Sequence, residues 1–183
     1  DQVTIGGGSN VVNTGGYGNW VPSFGISRLR DNDLLVGGDG NNQVSLGAGN
    51  DTVTLGNGSN NIVGTAASGL CYPGRDANGV PGDGNKLITV GGGNNTITTG
   101  NGNDTVTAGD GRNVIDVDGG NNSVNAGNGG NSVSSGSGND TIVTGSGPDT
   151  INSGTGADFV CADDGNNLVT VGQGATVVTG TGN

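Results

Sequence analysis

The sequence predicts an all-β protein, a β-solenoid with about two nonapeptides per coil and roughly nine coils, interrupted by two loop insertions. Three observations carry that reading. Glycine supplies 43 of the 183 residues and recurs with a period of nine. Branched apolar residues recur at the same period. Hydrophobic residues make up only 29% of the chain and aromatics 3%, too little for one thick globular core. Glycine at this density without order reads as disorder; glycine at fixed spacing reads as turns.

The period is plainest in VGGGNNTIT TGNGNDTVT AGDGRNVID, from Val90 to Asp116. The unit is G-x-G-N-(N/D)-x-U-x-x, with U a branched apolar residue. Its first position runs unbroken through Gly91, Gly100, Gly109, Asp118, Gly127, Gly136, Gly145, Gly154, Asp163 and Gly172. That places Ile97, Val106, Ile115, Val124, Val133, Ile142, Ile151, Val160, Val169 and Val178 at U. Upstream, Gly38, Gly47 and Gly56 place Val44, Val53 and Ile62 there, and Gly6 and Gly15 place Val12 and Val21. The G-x-G-N segment tolerates positive φ and turns tightly. The remainder alternates β-branched residues and reads as a short strand. One unit cannot bury its single apolar residue. Stacked coils can, because each strand bonds to the coils above and below at ~4.8 Å. The core is then a line of U side chains, supplemented two positions later by Val90, Ala108, Val117, Ala126 and Val171.

This unit is similar to the RTX calcium-binding nonapeptide, G-G-x-G-x-D-x-U-x. The resemblance covers nearly the whole chain outside the insertions and implies a parallel β-roll, secretion, and calcium held by the aspartates. Two departures stand out. The family's first glycine is replaced by Val90, Thr99, Ala108, Ser135 and Thr144, and its ligand aspartate is often asparagine.

Alternate units lie on opposite edges of a two-unit coil. With alternation kept across both insertions, one edge carries Asn10, Asp33, Asp51, Lys86, Asp104, Asn122, Asp140, Asp158 and Thr176. The other carries Asn19, Asn42, Asn60, Asn95, Asn113, Asn131, Asp149 and Asn167. Carboxylates stacked ~5 Å apart repel, and a hard cation relieves this. The candidate calcium ligands are therefore the same-edge pairs Asp33/Asp51 and Asp140/Asp158, with Asp104 beside them. Lys86 sits between Asp51 and Asp104, where its ammonium can replace a metal. The competing reading makes these aspartates turn formers equivalent to asparagine, accepting from backbone amides. The asparagine edge needs no ion, since amide side chains bond up and down a stack.

Written end to start, Gly180-Thr181-Gly182-Asn183 and Asp1-Gln2-Val3-Thr4-Ile5 complete one unit, with Asp1 at the ligand position and Val3 at U. The expectation is eighteen units in nine coils, a rise of ~43 Å per copy, and copies that continue head to tail as a filament, sheath or long adhesin. The insertions, at about 16–30 and 64–81, interrupt one repeat solenoid spanning 1–183. They hold Tyr17, Trp20, Phe24, Tyr72, Arg28, Arg30 and Arg75, and so read as lateral contacts between solenoids or docking points for surface glycans. The alternative is loops packed flat on their own coil. Cys71 and Cys161 are open to an internal disulfide, a bond between copies, or two free thiols.

Several function classes fall away. A net charge of −11 with five cations opposes nucleic-acid binding, and no apolar run reaches the ~18 residues of a membrane span. Acid–base catalysis is poorly served by a chain without histidine or glutamate, and the cluster Asp110, Asp116, Asp118 reads as solvated turn positions, so an enzyme is not expected. An ice-binding face is a minor alternative: Thr52-Val53-Thr54, Thr96-Ile97-Thr98 and Thr105-Val106-Thr107 have the motif, but neighbouring strands interrupt it. The expectation is an extracellular structural protein, with a calcium-binding adhesin segment as its alternative.

Overall fold

The protein is described by a computed structural model, which covers residues 2–5, 11–13, 32–46, 49–64 and 84–182. All its regular structure is β. In chain order the strands are β1 (Gln2–Ile5), β2 (Val11–Asn13), β3 (Leu34–Gly37), β4 (Gln43–Leu46), β5 (Thr52–Leu55), β6 (Asn61–Gly64), β7 (Leu87–Val90), β8 (Thr96–Thr98) and β9 (Thr105–Ala108). They continue as β10 (Val114–Asp116), β11 (Ser123–Asn125), β12 (Ser132–Ser134), β13 (Thr141–Thr144), β14 (Thr150–Asn152), β15 (Phe159–Ala162), β16 (Leu168–Thr170) and β17 (Thr176–Thr179). Odd-numbered strands form one sheet of nine and even-numbered strands one of eight, all pairings parallel. This is a parallel β-solenoid with two strands per coil, and each strand pairs with the one two elements later.

The register follows the nonapeptide. Ile97 lies opposite Ile115, and Val106 opposite Val124, so U residues stack on U residues. Among the described residues, twenty buried apolar side chains form one cluster, from Leu35 to Ala162. Val90, Ala108, Val117 and Ala126 join it as expected; Val171 is exposed, because it sits on the last described coil. The second glycine of each G-x-G takes φ between 120° and 146° from Gly40 to Gly165, a region that L side chains rarely adopt.

The ladder revises the unit arithmetic at both ends. β1 pairs directly with β3 and β2 directly with β4, and the Val21 unit lies outside the described residues. Val12 lies opposite Val44 in the ladder, and Asn10 lies outside the described residues. Seventeen described strands make eight and a half coils rather than nine. At the other end Val177, not Val178, lies opposite Val160, because the last turn is one residue shorter. Ala175, not Thr176, thus takes the ligand position. Asp1, Trp20, Phe24, Tyr72, Arg75, Cys71 and Asn183 lie outside the described residues, as do the insertions except Gly64, which closes β6.

Candidate functional site

The ligand position immediately precedes each strand, and every described side chain at it from Asp33 to Asp158 is buried. Stacking at one residue per coil converts these side chains into two hydrogen-bond ladders, the first interrupted between Asp51 and Lys86, because an ammonium offers no acceptor to the Asp51 amide. On one edge the backbone amide of Asp33 donates to Asp51 Oδ1 (3.0 Å), that of Lys86 to Asp104 (2.7 Å), and that of Asp104 to Asn122 (2.9 Å). The ladder continues from Asn122 to Asp140 (2.8 Å) and from Asp140 to Asp158 (3.0 Å). The structure thus brings Asp33, Asp51, Asp104, Asp140 and Asp158 onto one edge, with Lys86 and Asn122 among them. The second edge runs through Asn42, Asn60, Asn95, Asn113, Asn131, Asp149 and Asn167 in the same direction.

The exposed position before the ligand bonds the opposite way. The amide of Asn103 donates to Asn85 Oδ1 (2.7 Å), that of Asn121 to Asn103 (2.7 Å), and that of Asn139 to Asn121 (2.8 Å). Each turn is therefore held from both neighbouring coils.

The two edges differ in chemistry. An asparagine Nδ2 lies among carbonyls of its own turn: that of Asn95 donates to Gly91 O (3.2 Å), Gly93 O (3.1 Å) and Asn113 Oδ1 (2.9 Å). An aspartate brings a second oxygen instead of that donor. At Asp104, Oδ2 accepts from Thr99 Oγ1 (2.5 Å), and at Asp158 from Ser153 Oγ (2.6 Å). At Asp51, Oδ2 faces the Lys86 ammonium at 3.2 Å, both side chains fully buried. Asp140 Oδ2 and Asp149 Oδ2 are buried without a hydrogen bond. Burial pushes the carboxyls of Asp104 and Asp140 above the usual carboxylate range, against the pull of the Thr99 hydroxyl and Lys86 amide on the first and of the Asn122 amide on the second. Burial raises Asp51 too, opposed by the Asp33 amide and Lys86.

The hydroxyl partners are the residues that sequence reasoning missed. Thr99, Ser135, Thr144 and Ser153 each stand five residues before an aspartate: Asp104, Asp140, Asp149 and Asp158. Before Asn60, Asn95, Asn113, Asn122, Asn131 and Asn167 the same place holds Leu55, Val90, Ala108, Val117, Ala126 and Ala162. Thr99 and Ser153 donate to their aspartates, whereas Ser135 donates to Ser153 O (2.9 Å) and Thr144 Oγ1 has no hydrogen bond. A polar residue at that spacing marks a buried carboxylate, and it was the available signal.

Among the described residues, Cys161 is a free thiol whose Sγ lies 3.4 Å from Asp163 Oδ1. The candidate disulfide rests on Cys71 and lies outside them. Gly180 and Gly182 continue the turn stack: Gly180 donates to Ala162 O (3.1 Å) and Asp163 O (3.0 Å), and Gly182 lies against Gly165. Val3 sits opposite Leu35 in the ladder.

The RTX calcium-binding nonapeptide repeat (4 copies) matches residues 30–66, 82–115, 89–124, 98–133 and 134–169. The chain belongs to this family. No curated protein and no solved structure matches it. RTX repeats are calcium-binding motifs, and the donor set here fits that ion unevenly. Hard cations take oxygen ligands. The asparagine turns present N–H groups to their carbonyls and do not fit; neither does the Asp51 level, where an ammonium already neutralises the carboxylate. Asp140 and Asp149, with an unpartnered buried oxygen each, do fit. Among the described residues no three carboxyl, imidazole or thiol groups converge on one point.

Proposed function

We propose that this RTX-type chain is a rigid structural segment of a secreted protein, a rod whose work is mechanical rather than catalytic. The observation that supports it most is the unbroken parallel ladder through both sheets, with turns clamped from both sides. Backbone pairing at every rung resists bending, and the core is too thin to enclose a substrate cavity.

The finer reading is a rod prolonged end to end by copies of itself as a filament, sheath or adhesin. That reading rests on the general tendency of exposed strand edges to template association. Because the seventeen described strands are an odd number, a rung after β17 falls in the second sheet. A copy placed there is turned by half a coil relative to the one before it. Electron microscopy of the assembled material tests this: the expected axial repeat is about 41 Å, from eight and a half coils at ~4.8 Å. Compact, isolated particles would sink it, and small-angle scattering that reports a near-spherical monomer would sink the rod itself.

Calcium is a second reading, favoured by the unpartnered oxygens of Asp140 on the acidic edge and Asp149 on the asparagine edge. Calorimetric titration checks it. Ice binding gains no support: outward residues of successive rungs read Leu34, Thr52, Leu87, Thr105 and Ser123, not a threonine array.

A further inference from the structure

An ion shared between stacked turns needs oxygen atoms with lone pairs to spare: turn carbonyls and the ligand-position oxygen of the next coil. In most of this ladder the chain's own nitrogen has taken them. Asn60 Nδ2 lies 3.2 Å from Gly58 O in its own turn and 3.1 Å from Asn95 Oδ1 in the next. Asn95 repeats the contact with Gly93 O and Asn113 Oδ1, and Asn131 with Gly129 O (3.0 Å) and Asp149 Oδ1 (3.2 Å). On the other edge the Lys86 ammonium reaches back one coil, to Gly49 O at 2.7 Å and Asp51 Oδ2 at 3.2 Å. Each N–H group joins two coils across oxygens that would otherwise repel.

We propose that the coils from Gly38 to Asn131 are calcium-independent by construction: amide and ammonium nitrogens, with the Thr99 hydroxyl at Asp104, take the place of the metal in the turns, and any calcium demand is confined to Asp140 and Asp149. This makes the chain an RTX solenoid that has exchanged most of its ion sites for covalently attached cations and dipoles. The inference does not depend on end-to-end assembly.

Thermal unfolding followed by circular dichroism, in calcium and in chelator, tests it on the intact chain. Asp140→Asn/Asp149→Asn is expected to melt at the same temperature in both. Lys86→Asp and Asn60→Asp/Asn95→Asp rebuild stacks of carboxylates. Both are expected to melt lower than the parent in chelator. Both are also expected to recover by roughly 5–10 °C when calcium stands about a hundredfold above its Kd. Lys86→Asn, an amide at the same place, should be as insensitive to calcium as its neighbours. If Lys86→Asp is unfolded in chelator, return of its β signal on adding calcium is the supporting result, and failure to return overturns the proposal. It is equally overturned if Asp140→Asn/Asp149→Asn still loses stability in chelator. A globular scattering profile would end the rod reading and leave this outcome unchanged.

Discussion

At the residue scale, the second glycine of each G-x-G does what no other residue can. Gly93 has φ of 131°, and a Cβ there would run into the carbonyl of Gly58 one coil below. Both the dihedral and the close approach require a missing side chain. Gly93→Ala is expected to cost roughly 2–4 kcal/mol, read as a lower midpoint in chemical denaturation with m unchanged. An unaltered midpoint would mean that the turn can move away from its neighbour. Asp118 shows the tolerance of the position two residues earlier, holding φ of 48° where most units have glycine. Its carboxyl is raised by burial and by Asp116.

At the element scale, a strand of three or four residues has no stability of its own. It is fixed by one buried U side chain and by pairing to two neighbours. Ile115 is the centre of β10, 1% exposed, with Ile97 and Val133 on either side in register. Ile115→Ala is expected to destabilise by about 2–5 kcal/mol, since a one-residue-wide core has little freedom to close the cavity. Hydrogen exchange should show the loss spreading first to β8 and β12; uniform acceleration along the whole chain would contradict a nearest-neighbour solenoid. The U period was legible in the sequence because it is a local repeat. The single-residue deletion before β17 was not, since Val177 and Val178 are equally good candidates until Val160 selects one of them.

At the scale of the whole molecule, the chain carries a net charge of −11 and buries aspartates in a column. For Asp104 and Asp140 the folded state holds the proton more tightly than the unfolded chain does, so νN exceeds νU and stability falls as pH rises. The gain is complete below the ordinary carboxylate value and is lost as pH climbs through the raised folded value. The melting temperature in chelator is therefore expected to rise on going from neutral to mildly acidic pH, the reverse of ordinary acid denaturation. Asp104→Asn/Asp140→Asn should flatten that rise. A profile that instead falls steadily below neutrality would show that these carboxylates are ionised and stabilised in the fold.

The repeat alone determined the class of fold, the line-like core and the identity of the ligand positions, because each follows from a nine-residue unit that every neighbour copies. The lysine at position 86 was also readable as a cation among carboxylates. Tertiary structure decided the rest. β2 pairs with β4, which fixes the edge of the Val12 rung, and the described rungs number seventeen. Which carboxylates are satisfied depends on hydroxyls five residues away and on ammonium and amide groups one coil away. The physical reason is that a repeat specifies what each unit looks like, whereas register across an insertion and pairing between coils are long-range. They are settled only when all the rungs are stacked.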